Sequence, residues 1–216
     1  MKKLVIFDLD GTLINSVEDL GNACNNALSQ MGYPTHTPEA YNIMVGNGIS
    51  KLIERALPED ARRQRVIEAM RTRFTEYYNE HLWDKSLPYR GIPELLMELQ
   101  NHGVKVAVAS NKYQEATTRI IEHFFPNISW ASIMGQRDMI PLKPDPSIIF
   151  NVLLEAPTPK AEVLFVGDSG IDMETAYRAC IDRIGVTWGY RTRGELASAR
   201  ADYLVSEPEE LLDFIL

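Results

Sequence analysis

Cysteine is almost missing from this 216-residue chain: only Cys24 and Cys180 occur. Two thiols make no disulfide scaffold, and a reducing cytoplasm is the simplest compartment for such a protein. Histidine is scarce too. His36, His81, His102 and His123 show no zinc-ligand spacing, and neither HExxH nor CxxC is present. Long apolar runs are absent. Charges and glycines break every stretch well short of the roughly 18–20 residues needed to span a bilayer. The opening MKKLVIFDLDGT places Asp8 and Asp10 too early for the core of a signal peptide. Positive charge is also in deficit, with 22 Lys and Arg against 30 Asp and Glu, a net −8. That balance argues against a nucleic-acid polymer as partner. Repeats and heptads are missing as well, which excludes solenoids and coiled coils.

What remains is ordinary globular composition, 45% hydrophobic and 24% charged, in a length suited to one large or two small domains. Short apolar segments at 3–9, 104–110 and 162–167 read as buried strands, with 131–134, 183–187 and 202–205 as weaker ones. Helical periodicity lies between them at 91–102, 113–124, 145–155 and 170–180. The alternation predicts an α/β fold, a Rossmann-like and mostly parallel sheet covered on both faces, with ligands at the carboxyl ends of its strands. Residues 14–86 break the rhythm, with apolar periodicity around 16–31, 39–44, 49–56 and 59–80 and no convincing strand. They read as an inserted α-helical cap. The predicted division is a discontinuous core of 1–13 and 87–216 and a cap of 14–86, hinged near 13–16 and 81–88.

Four polar signals sit at strand ends. In Asp8-Leu9-Asp10-Gly11-Thr12, period-two geometry aims two carboxylates to one side, and Gly11 and Thr12 offer a tight exit and an oxyanion contact. Gly167-Asp168-Ser169 follows another strand, with Asp172 opening the next helix. Acids gathered there call for a cation, and oxygen donors favour Mg²⁺. Helix capping is the plainer reading of Ser169 and Asp172. Ser110-Asn111 offers phosphoryl contacts or a turn. Lys143, between prolines in PLKPDP, holds an ammonium in a restricted loop.

DLDGT at 8–12, Ser110-Asn111, Lys143 in LKPDP and GDSGID at 167–172 stand in the order of the haloacid dehalogenase superfamily, and the chain resembles its phosphatase branch. GNGISKLIERAL at 46–57 and VTWGY at 186–190 resemble the phosphoglycolate phosphatase-like branch. The resemblance implies Asp8 as nucleophile and Asp10 as acid–base, the latter arguing against carbon–halogen hydrolysis. It implies Mg²⁺ on Asp8, the Asp10 carbonyl and Asp168, with Lys143 fixing Asp8. Thr12 and Ser110 would hold phosphoryl oxygens with Asn111 helping. Ser169 and Asp172 would stand behind the metal, Asp172 holding a metal-bound water or orienting Lys143. Gly46, Asn47, Gly48, Lys51 and Arg55 are the candidates for cap contacts with substrate. Trp188 and Tyr190 would line the entrance or pack.

The implied partner is a small phosphorylated metabolite, with neither membrane nor nucleic acid, and the implied activity is phosphomonoester hydrolysis with phosphoglycolate the leading substrate. A phosphosugar mutase, a pyrophosphatase or nucleotide phosphatase, and a phospho-aspartate signalling receiver are the alternatives. Two positions depart from the pattern: Asn15 replaces a frequent aspartate, and Cys180-Ile181 a frequent Ala-Gly.

Overall fold

A computed structural model describes residues 1–216. Strand β1 (Leu4–Phe7) opens the chain, followed by the two-residue β2 (Ile14–Asn15) and helices α1 (Val17–Gln30), α2 (Tyr41–Met44), α3 (Ile49–Ala56) and α4 (Gln64–Glu80). Then come β3 (Leu87–Pro88), α5 (Ile92–Asn101), β4 (Lys105–Tyr113), α6 (Gln114–Phe124), β5 (Trp130–Gln136) and α7 (Ser147–Glu155). The last part holds β6 (Val163–Gly167), α8 (Gly170–Ala179), β7 (Asp182–Val186), α9 (Arg193–Ser198), β8 (Tyr203–Val205) and α10 (Leu212–Ile215).

Six strands form one parallel sheet in the order β5-β4-β1-β6-β7-β8. The fold is therefore the α/β sheet with helices that the alternation predicts. Its strands alternate at the level of single residues. Val5, Phe7, Val106, Val108, Leu164 and Val166 join one apolar cluster, while Leu4, Ile6, Ala107, Ala109, Val163 and Phe165 join the other. Period-two side-chain placement feeds two helical layers from the same strands. Strand β1 is the topological switch point, with β4 on one side and β6 on the other, so the crevice at its carboxyl end opens where ligands bind in such sheets.

Helices α1 to α4 lie over that crevice. In α1, Leu20, Ala23, Cys24, Ala27 and Leu28 are buried at helical spacing; in α4, Met70, Phe74 and Tyr78 are. These residues belong to the same apolar cluster as one face of the sheet, so cap and core share a continuous interior. The segment read from sequence as strand-free does contain strand: Ile14–Asn15 pairs antiparallel with Leu87–Pro88. Two-residue strands carry no periodicity, which is why composition does not reveal them. Next to this ribbon, buried Asp19 accepts hydrogen bonds from the Lys85 and Ser86 N–H groups and the Ser86 hydroxyl, tying α1 to the returning chain. Strand β4 also runs further than the apolar stretch predicts, to Tyr113, with irregular register between Ala109 and Tyr113.

Candidate active site

Asp8 leaves β1 into the crevice. Its Oδ1 accepts the Leu9 N–H at 2.7 Å and lies 2.9 Å from Lys143 Nζ. Lys143 Nζ is also 2.7 Å from Asp172 Oδ1, and the second Asp172 oxygen takes the Ser169 hydroxyl and N–H. Asp172 and Ser169 thus form the capping box of α8 and, through the other carboxylate oxygen, hold Lys143. Capping and orienting Lys143 are one arrangement at this residue.

Asp8, Asp168 and Asp172 are buried, and one carboxylate oxygen from each lies within 4.8 Å of the other two. Burial raises the Asp8 pKa to about 7, with Asp172 adding to the effect and Lys143 opposing it. Asp168 is pushed well above the usual carboxylate range by burial and then by Asp172 and Asp8, against the pull of the Tyr190 N–H. Burial works against the charged form of Lys143, yet Asp172 and Asp8 together hold it above the ordinary lysine range. This is a buried carboxylate cluster of the kind that holds a metal. Its donors are all oxygen, which fits a hard divalent cation. Both Asp172 oxygens already have partners, so Asp8 and Asp168 are the carboxylates that would carry the ion.

Glycine is required beside Asp168. Gly11 adopts φ +89°, and a Cβ there would lie 2.4 Å from Asp168 Oδ2. A Cβ on Gly189 would lie 2.3 Å from both Asp168 Cβ and the Gly11 carbonyl oxygen. The Tyr190 N–H, one residue on, donates to Asp168 Oδ2 at 2.6 Å. Trp188 Nε1 donates to the Thr12 carbonyl and the Tyr190 hydroxyl accepts the Ser16 N–H. Both aromatics therefore pack at the hinge and bind its backbone.

Asp10 lines the same small cavity as Asp8, which measures ≈40 Å³. One water takes roughly 10–15 Å³ by this measure, so the space suits a few small groups. Asp10 Oδ1 accepts the Ser16 hydroxyl at 2.5 Å and lies 3.0 Å from Lys112 Nζ. Thr12 Oγ1 is buried without a hydrogen-bond partner, and Ser110 lines the cavity with its hydroxyl accepting the Lys112 N–H. Both hydroxyls suit an oxyanion. Asn111 also lines the cavity, and its side chain has backbone partners besides. Its Oδ1 accepts the Lys143 N–H and its Nδ2 faces the carbonyls of Lys143 and Gly46, so it clamps the lysine loop and touches the cap.

The cap candidates divide. Gly46 and Gly48 line the cavity. Lys51 is exposed and pairs with Glu54 on its own helix, while Arg55 donates to the Met44 carbonyl. Asn47 and Arg55 line a second crevice with Ser169 and Arg191, which meets the cavity at Gly46. Lys51, Arg55 and Asn47 thus stand off the cavity wall, Lys51 and Arg55 because the rotation of α3 turns its charged face outward and buries Ile49, Leu52 and Ile53. Sequence reasoning passed over Lys112, Ser16 and Tyr78. Lys112 was within reach of it, since it stands two positions after Ser110 on one strand.

Residues 5–186 match the family profile of haloacid dehalogenase-like hydrolases. The chain belongs to that family. A phosphoglycolate phosphatase of Pseudomonas syringae pv. tomato is 31% identical over 215 residues, covering 98% of this chain and 79% of that protein. One of Mannheimia succiniciproducens is 30% identical over 219 residues, covering 99% and 98%. A crystal structure from Lactobacillus delbrueckii subsp. bulgaricus superposes with TM-score 0.93 at 31% identity, covering 100% of this chain and 99% of its own. No helix of the chain is long and apolar enough to cross a membrane.

Proposed function

We propose that the protein is a Mg²⁺-dependent phosphomonoester hydrolase of small phosphorylated metabolites, with phosphoglycolate the leading substrate. The observation that carries the reading is the pair Asp8 and Asp10 on one small cavity, with Lys143 on the first. Relatives named phosphoglycolate phosphatase along nearly the whole chain support the substrate.

Asp8 attacks phosphorus and forms an aspartyl-phosphate as the ester P–O bond breaks. Asp10 gives its proton to the departing alkoxide. It then takes a proton from the water that attacks phosphorus, the bond to Asp8 breaks, and inorganic phosphate is released. Thr12 and Ser110 hold phosphoryl oxygens, and Lys143 offsets negative charge at Asp8. Mg²⁺ on Asp8 and Asp168 would supply the remaining charge neutralisation between carboxylate and phosphoryl group.

The test is phosphate release with Mg²⁺ or with chelator, over phosphoglycolate, sugar phosphates, nucleotides and pyrophosphate. The highest kcat/KM is expected on phosphoglycolate, with D8N at background. Isomerised sugar phosphate without net phosphate release would identify a mutase instead.

A further inference from the structure

We propose that Lys112 is the specificity-determining residue of the cavity, its ammonium receiving a second anionic group of the substrate, a carboxylate. The inference rests on the phosphatase reading and names the chemistry of the substrate's other end.

Three observations carry it. First, the only charged residues lining the cavity are Asp8, Asp10 and Lys112, so Lys112 is the sole side-chain cation on its wall. Leu20, Ile49, Leu52 and Phe74 belong to the wall's apolar part, and Tyr78, Ser110, Asn111 and Tyr113 to its uncharged polar part. Second, Lys112 is buried, with Nζ 2.9 Å from the Tyr78 hydroxyl and 3.0 Å from Asp10 Oδ1. An ammonium has three hydrogens to donate, and these two partners leave one. An anionic group of the substrate is the partner that makes the strongest bond to that hydrogen in a buried site. Third, Ser110 and Lys112 both line the cavity from β4, two residues apart. A substrate whose phosphoryl group meets the Ser110 hydroxyl therefore has its other end on the same cavity wall as the Lys112 ammonium. Tyr78 belongs to α4, so the ammonium is held from the cap as well as from the core, and its position depends on a closed cap.

The reading explains why Lys51 and Arg55 are unnecessary for an acidic substrate. It also separates two roles for one lysine. A residue that merely positions Asp10 affects all phosphate monoesters alike. A residue that binds a carboxylate discriminates among ligands that differ only there.

The test uses the full chain with Mg²⁺ and two non-hydrolysable probes, 3-phosphonopropanoate and propylphosphonate, titrated by calorimetry. The first carries the carboxylate and the second replaces it with methyl. Wild type is expected to bind the first roughly 10–100-fold more tightly, the range of one charge-assisted hydrogen bond. In K112M that ratio should fall to near one, and K112R should recover part of it. K112Q, neutral and polar, carries the same test should K112M not fold. A wild-type ratio near one, or a ratio unchanged in K112M or K112Q, overturns the proposal. Because binding is read without turnover, failure of the phosphatase reading is seen separately, as absence of phosphate release from every ester tried.

Discussion

Lys143 and Asp172 meet at 2.7 Å, with side chains 1% and 0% exposed. One residue comes from the loop before α7 and the other from the first turn of α8. Their pairing fixes the ammonium that also touches Asp8. D172A deletes the α8 capping box, a loss of about 0.5–2 kcal/mol, and leaves Lys143 with Asp8 as its one ionic partner. Chemical denaturation of D172A should show a loss on that scale, with kcat reduced because Lys143 loses its second anchor. Stability within about 0.5 kcal/mol of wild type, the scale of an ordinary surface change, would contradict the role.

Asp10 acts twice in the proposed cycle, and the two steps separate by leaving group. On an alkyl phosphate D10N should lose about 10²–10⁴-fold in kcat, the usual range for a general acid–base group. On p-nitrophenyl phosphate the leaving group needs no proton, so the first step should be less affected and aspartyl-phosphate should accumulate. Rapid-quench trapping measures it. Equal losses on both esters, with no trapped intermediate, would remove Asp10 from the acid role.

Protons and metal compete for Asp8. Its pKa is raised from 3.8 to about 7 in the metal-free fold, so the native state binds this proton more tightly than the unfolded chain. The stabilisation is complete below about pH 4 and disappears as pH rises through about 7. Asp168, also raised, adds in the same direction. Metal-free protein should therefore lose Tm from this site between pH 4 and 7. The Tm gain on adding Mg²⁺ should grow from pH 5.5 to 7.5, because the ion displaces protons. Thermal melts in chelator and in MgCl₂ across that range test this, and a pH-independent Mg²⁺ gain would refute it.

The two thiols should differ sharply. Cys24 is buried in α1 and its pKa is raised to about 12 by desolvation, with the Tyr41 hydroxyl opposing. Cys180 is exposed. Thiolate is the reactive form, so an aromatic disulfide reagent at pH 8 should titrate one thiol in the native protein and two after unfolding. Rapid labelling of both in the native state would mean that the cap interior opens.

Much of the catalytic end was legible because it is local. Asp8 and Asp10 are two residues apart at a strand end, and alternation alone aims them together. Gly11 is dictated by the same few residues, although the contact that demands it, Asp168, comes from far along the chain. Asn111 lines the cavity as its motif suggests, but its bonds to the backbone of Lys143 and Gly46 come from segments that no local pattern brings near. Lys51 and Arg55 drew attention as cations beside two glycines, yet helix rotation carried them outward.

The sequence by itself determined the parallel sheet, the interruption by helices and the acids at the strand ends. Each follows from periodicity or from residues close in the chain. Only the tertiary structure decided which cation faces the cavity, that Asp172 serves cap and lysine at once, and that Asp19 and Tyr190 bind the hinge. Those outcomes depend on long-range packing, where the docking of α3 and α4 on the sheet sets which side chains meet. The same docking buries Lys112 between Asp10 and Tyr78, residues separated from it by 102 and 34 positions.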